Sequence, residues 1–100
     1  MSHDNTYNGW SNWETWNFKL WIDNEYDSYL HFQTIVKINN GKLLKIAQDL
    51  KEFAQYQENQ YNRLKGIVNS GCMVDFKERN ASINDINYME IAKALKEDSE

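Results

Sequence analysis

The chain has no proline, a single cysteine and four glycines among its 100 residues. Because Cys72 has no partner cysteine, an intramolecular disulfide is excluded, and this favours a reducing compartment such as a cytoplasm. No stretch approaches the roughly 20 consecutive apolar residues of a membrane-spanning helix, so we expect no membrane contact. The first residues also lack the basic and apolar regions of a signal peptide. We therefore expect a cytoplasmic protein.

The chain has little net charge, −4, from 11 basic and 15 acidic residues. A surface that binds nucleic acid by neutralising phosphates needs a basic footprint, which this balance does not favour. Lys37, Lys42 and Lys45 form a small basic cluster that would contact phosphate, but nearby acids offset it. Asparagine, lysine and isoleucine are frequent, and A/T-rich codons favour these residues. This composition is typical of an A/T-rich bacterium or its phage.

No group of side chains indicates catalysis or a bound cofactor. His3 and His31 have no neighbouring cysteine or histidine at the spacing of zinc ligands. Acids alternate over residues 23–27 as in a calcium loop, but the glycine and the final glutamate of that loop are missing. Cys72 has no base near it in the sequence, and a buried apolar thiol is the usual state of a lone cysteine. We expect a protein that is not an enzyme and holds no metal or cofactor.

Four tryptophans lie within twelve residues, from Trp10 to Trp21. Ser11 and Glu14 have the spacing of a capping box, with Ser11 as the N-cap of a helix. The apolar residues that follow repeat at helical spacing, and this predicts a helix that packs its aromatic face into the core. Together with positions from later helices, the predicted core residues are Trp13, Trp16, Leu20, Trp21, Leu50, Phe53 and Ile91.

The remaining pattern is helical as well. It predicts a helix over residues 26–37 that ends at Asn39-Asn40-Gly41, where asparagine and glycine supply left-handed residues. A long amphipathic helix follows from residue 43, either unbroken or, as we favour, kinked near 57–60, where no apolar residue occurs. Residues 70–82 fit a short helix and an extended segment equally well. The last helix is predicted to begin with a second box over residues 87–90, and Ile86 and Ile91 would form a hydrophobic staple.

These elements define the expected architecture. It is an all-α protein, a compact irregular bundle of four to five helices. Residues 1–9 are polar and are predicted to be a flexible N-terminal segment, followed by a single helical domain over residues 10–100.

Not every aromatic side chain fits inside a domain of this size. Tyr7 and Trp10 lie before the first predicted helix and are candidates for a protein contact, because Trp and Tyr dominate binding hot spots. Tyr56 and Tyr61 are interleaved with Asn and Gln over residues 55–62, a composition typical of adaptable contact surfaces. The alternative for that stretch is an exposed polar helix end.

Two blocks of sequence carry a resemblance. The first has the form N-G-W-x-N-[YW]-E-T-W-N-x-x-L-W-I-x-N and comprises Asn8-Gly9-Trp10, Asn12, Glu14-Thr15-Trp16-Asn17, Leu20-Trp21-Ile22 and Asn24. With it, the chain resembles a family of small uncharacterised proteins encoded by phages, plasmids and their bacterial or archaeal hosts. The second block resembles V-N-W-x-E-I-A followed by E-D, and corresponds here to residues 86–92, with Tyr88 in place of tryptophan, and 97–98. No counterpart is found for residues 26–83.

The resemblance implies a context of mobile elements, whose small proteins often act on host machinery or host defence. We therefore expect a non-enzymatic phage or mobile-element interaction protein that binds and inhibits or redirects a host protein in the bacterial cytoplasm. A defence complex such as CRISPR or restriction machinery is the favoured class of target. The alternative is a nucleic-acid-associated accessory factor or an acidic decoy for a nucleic-acid-binding protein. The sequence leaves the oligomeric state open.

Overall fold

The structure, a computed structural model, describes residues 7–64 and 72–99. Over these residues the chain forms α-helices and no strand, apart from one isolated bridge between Tyr7 and Trp10. This confirms the predicted all-α fold. A 3-10 helix, Ile83–Asp85, precedes the last α-helix. The α-helices are α1 (Trp13–Asn24), α2 (Tyr26–Ile38), α3 (Leu43–Leu64), α4 (Cys72–Arg79) and α5 (Tyr88–Ser99).

The core forms mainly between α3 and α5, which share the most extensive interface among these helices. Helices α1, α2 and α4 pack around this pair. Burying one such apolar side chain contributes about 1.5–3 kcal/mol. Leu50 and Ile91, both predicted core residues, are fully buried, and Phe53 is half-buried against them. The other core residues on these two helices are Ile46, Ala47, Ala54, Ala92 and Leu95.

Helix α1 buries the predicted face only in part. Trp13 and Trp21 pack against the core as predicted, but Trp16 does not, and Leu20 is 38% exposed. Phe18 and Ile22, four residues apart, are fully buried. The spacing did not rank these positions because apolar side chains occur on nearly every side of this helix. A narrow phenylalanine–isoleucine stripe enters the core. The three large indoles lie half-buried at its edges, where an indole N–H can find a partner. These indoles belong to Trp13, Trp16 and Trp21.

The predicted N-cap of α1 is wrong by one residue. Asn12, not Ser11, is the N-cap, and its side-chain oxygen accepts a hydrogen bond from the backbone N–H of Thr15 at 2.9 Å. Both residue types cap helices, so the local sequence does not decide between them. For α5 the predicted cap is correct, since Asn87 Oδ1 accepts from the backbone N–H of Glu90 at 3.1 Å.

The end of α2 follows the sequence prediction. Asn40 and Gly41 both have left-handed backbones, with φ of 53° and 71°. The N–H of Gly41 donates to the carbonyl of Val36 at 3.0 Å, which satisfies a carbonyl at the helix end. Asn80, with φ of 57°, ends α4 in the same way.

The expected kink near residues 57–60 is wrong, because α3 runs unbroken from Leu43 to Leu64. Residues 57–60 and the turn after them contact other parts of the protein. Glu58 forms an ion pair with Lys77 of α4 at 3.8 Å, and Tyr61 packs against the core one turn later. Residues 72–79, for which two conformations fitted the sequence, form α4.

The cap of α1 yields a stability prediction. Asn12→Ala removes the bond from Thr15 N–H and should lower the free energy of unfolding by about 1–2 kcal/mol. Ser11→Ala, the comparison, loses only the long, exposed bond that the Ser11 hydroxyl accepts from Asn87 Nδ2 at 3.3 Å, and should cost less than about 1 kcal/mol. Urea unfolding followed by tryptophan fluorescence measures both. A larger loss for the Ser11 variant would contradict the assignment.

Candidate interaction surface

The first turns of α1 and α5 are bonded to each other. Thr15 is fully buried, and its hydroxyl donates to Asn12 Oδ1 at 2.6 Å while it accepts from the backbone N–H of Asn87 at 2.8 Å. Glu90 Oε1 accepts from the backbone N–H of Ser11 at 3.1 Å. Glu90, the glutamate of the second box, therefore accepts from a backbone N–H at the start of α1, whereas a capping box would bond it to the backbone of its own helix. We call this cluster the helix junction.

The helix junction joins the two sequence blocks that carry the family resemblance. Asn12 and Thr15 belong to the first block, and Asn87 and Glu90 to the second, more than 70 residues away. Asn12 Nδ2 also donates to the backbone carbonyl of Asp85 at 2.7 Å. Each of the four motif residues forms a hydrogen bond here through its side chain, whereas Asp85 contributes only its backbone carbonyl. These four motif residues thus have a structural explanation.

A tight turn precedes α1. Asn8 and Gly9 have φ of 49° and 88°, and Tyr7 and Trp10 exchange two backbone hydrogen bonds of 2.7 and 2.8 Å. Two consecutive left-handed residues of the type Asn-Gly are typical of a two-residue hairpin turn. Part of the predicted flexible segment, residues 7–9, is therefore a defined turn, while residues 1–6 lie outside the described residues.

The carboxylate of Asp75 connects α4 to α1. Its Oδ2 accepts from Trp21 Nε1 at 2.9 Å and from Asn17 Nδ2 at 3.1 Å. This half-buried carboxylate satisfies the one donor of an indole and one of a buried amide. Asn17 Oδ1 is buried and has no hydrogen-bond partner among residues 7–64 and 72–99. Nothing in the sequence indicated Asp75, because it lies 54 residues after Trp21 in a stretch without a resemblance.

Lys19 is buried although it is charged. Its side chain is 7% exposed, and its Nζ lies 2.6 Å from Asp23 and 3.4 Å from Asp98. The same Nζ lies 6.0 Å from the ring centroid of Trp10, a cation–π distance. Two carboxylates against one ammonium leave this cluster with one net negative charge. The i,i+4 spacing of Lys19 and Asp23 is a sequence signal for the first pair, and nothing in the sequence indicates Asp98.

Three apolar side chains form what we call the outer patch: Tyr7, Trp16 and Leu20. The Tyr7 and Trp16 rings lie 4.8 Å apart at 50°, and Leu20 follows Trp16 by one turn on the same side of α1. Tyr7 is 36% exposed and Leu20 38% exposed, and Trp16 is half-buried. Two predicted core residues, Trp16 and Leu20, therefore join a predicted contact residue, Tyr7, at the surface.

The other predicted contact residues are placed differently. Trp10 and Tyr61 are half-buried and pack against the core, and the ammonium of Lys77 lies 5.9 Å from the Tyr61 ring. Tyr56 is 59% exposed on α3, an element that contributes nothing to the outer patch. Tyr7 is thus the single predicted contact residue that the outer patch includes.

Within residues 7–64 and 72–99, no group of three or more His, Cys, Asp or Glu side chains could hold a metal ion. None of the helices in these ranges is both long and apolar enough to cross a membrane.

The Asp75 contact yields a second stability prediction. Asp75→Ala leaves the amide of Asn17 and the indole N–H of Trp21 without their acceptor, and should cost about 1–3 kcal/mol. Glu78→Ala, an exposed acid on the same helix, is the control and should cost less than about 0.5 kcal/mol. Urea unfolding compares the two. Equal stability of both variants would show that the contact contributes nothing.

Comparison with known proteins locates the chain in a family. No curated protein and no solved structure matches it. A family model described as "Family of unknown function (DUF7249)" matches residues 3–99, nearly the whole chain, and the chain belongs to this family.

Proposed function

We propose that this is a non-enzymatic interaction protein of a phage or mobile element, which binds a host protein through the outer patch. Binding inhibits or redirects that partner in the cytoplasm of the bacterial host. The observation that carries the proposal is that exposed Tyr7 and Leu20 and half-buried Trp16 lie together at the surface, on a support fixed by hydrogen bonds.

The support matters because a fixed surface loses little conformational entropy on binding. The tight turn holds Tyr7 beside Trp16. The helix junction fixes the start of α1, and the Asp75 contact fixes its last turns through Trp21. Aromatic side chains presented in this way are typical of binding hot spots.

The family resemblance supports the same surface. Most positions of the first block have a structural role in the tight turn, the helix junction, the Asp75 contact or the core. Trp16 and Leu20 also belong to that block, yet the core does not require them, since one is half-buried and the other exposed. A group of adjacent apolar side chains at the surface, rather than a single one, is a sign of a binding surface.

The class of target follows from the mobile-element context. Small proteins of such elements often act on host defence, so a CRISPR or restriction complex is the favoured partner. The acidic cluster of Asp23 and Asp98 on α1 and α5 fits a partner that places basic residues beside an apolar anchor, because complementary charge speeds association.

This proposal predicts a loss of binding when the outer patch is changed. Trp16→Ala and Leu20→Ser should each weaken capture of the partner by at least about 30-fold, the effect of removing a hot-spot residue worth about 2 kcal/mol. Leu44→Ser, a control on α3 where Leu44 is 77% exposed, should capture the partner as the unchanged protein does. Affinity capture from a host lysate, followed by mass spectrometry, identifies the partner.

Two outcomes would argue against the proposal. One is capture of no stoichiometric partner from an appropriate host. The other is a partner that the Leu20 variant retains at full affinity while circular dichroism shows an unchanged fold.

A second candidate is the nucleic-acid-associated accessory factor. The observation that favours it is the exposure of Lys42 and Lys45, neither of which forms an ion pair within the described part of the chain. A gel shift at low salt tests it: retardation of DNA or RNA that disappears as salt rises would support direct binding. Absence of retardation at low salt would leave only the decoy, which would release DNA from a target enzyme.

A further inference from the structure

An open pocket lies at the corner between α2 and α3. Its volume is about 210 Å³, over ten times the roughly 10–15 Å³ that holds one water molecule, so a tetrahedral oxyanion fits inside. We call it the corner pocket. The residues that line it are Ile38, Asn39, Asn40, Lys42 and Lys45.

The backbone N–H groups of the turn are already satisfied, so side chains provide its donors. The N–H groups of Asn39, Asn40 and Gly41 donate to carbonyls of α2, and that of Lys42 donates to Asn39. The lining therefore offers two lysine ammonium groups and the amides of two asparagines. Ammonium and amide N–H groups are hydrogen-bond donors, and lysine is a common ligand of phosphate.

Positive charge is concentrated here although the whole chain carries −4. Lys96 of α5 adds a third ammonium, since its side chain lies 3.1–3.6 Å from the point where a Cβ on Gly41 would be. A glycine at that point thus lets Lys96 lie against the turn. Among residues 7–64 and 72–99, the acid that bonds to the turn is Asp49, which accepts from Asn39 Nδ2 at 3.2 Å. The two lining lysines and Lys96 therefore outnumber the carboxylates bonded to this turn.

The lysines of the corner are not paired with acids in the described part of the chain. No ion pair to Lys42, Lys45 or Lys96 occurs over residues 7–64 and 72–99. The first turn of α3, on which Lys45 lies, contains no acidic residue. Unpaired ammonium groups around a concave space attract anions more strongly than the same groups spread over a convex surface, because the low-dielectric walls focus the field.

We propose that the corner pocket binds a phosphate group, with Lys42 and Lys45 as its charged ligands and the Asn39 and Asn40 side chains at its sides. The phosphate belongs either to a small phosphorylated molecule or to a nucleic-acid backbone. Ile38, which is 68% exposed, provides an apolar edge beside it. The proposal is independent of the outer patch, because the two surfaces share no residue.

NMR titration of the full ¹⁵N-labelled protein tests the proposal. Sodium phosphate near neutral pH should shift the side-chain amide signals of Asn39 and Asn40 saturably, and sodium chloride at equal ionic strength should not. The double variant Lys42→Gln/Lys45→Gln should bind phosphate about tenfold more weakly, as expected for the loss of two solvent-exposed charges. Its amide spectrum elsewhere reports whether the fold is retained.

A matched control removes the same charge elsewhere. Lys51→Gln/Arg63→Gln, on exposed positions of α3 outside the pocket lining, should bind phosphate as the unchanged protein does. Equal shifts with chloride, shifts that do not saturate, or equal weakening by both double variants would overturn the proposal.

A second arm identifies the source of the phosphate. If a short single-stranded oligothymidylate shifts the same two amides and competes with inorganic phosphate, the ligand is a nucleic-acid backbone. If inorganic phosphate alone binds, the ligand is a small phosphorylated molecule. The outer-patch variant Leu20→Ser should give the unchanged result in both arms, which separates this site from the proposed protein contact.

Discussion

The fold depends on the buried hydroxyl of Thr15, which connects the starts of two helices that are far apart in the chain. It donates to the cap of α1 and accepts from the backbone N–H of the residue that caps α5. A buried polar group that lacks its partner costs about 1–3 kcal/mol, so each helix start stabilises the other. The orientation of α1, and with it the placement of the outer patch, follows from this constraint.

The sequence predicted the regular parts of this protein well. The amphipathic helix α3 has a single apolar face, and its buried Leu50 lies where the spacing indicates. The left-handed residues at Asn40 and Gly41 have a local cause, and so does the cap at Asn87. In these cases a short stretch of sequence contains all of the physical information.

Other features depend on contacts between distant residues, and these the sequence did not predict. On α1, Trp13 and Trp21 pack against the core as predicted, but Trp16 and Leu20 do not, and Asp75 accepts from the indole of Trp21 at the edge of the core. The outer patch was therefore not anticipated beyond Tyr7. The expected kink in α3 likewise left out a contact with another helix, since Glu58 pairs with Lys77 on α4.

The helix junction has a consequence for the order of events during synthesis. Thr15 is translated 72 residues before Asn87, and Ser11 is translated 79 residues before Glu90. The bonds that complete the start of α1 cannot form until these later residues have been made. Closing a loop of this length also slows folding relative to local contacts. The aromatic segment consequently stays incompletely buried while the residues between the two blocks are being translated.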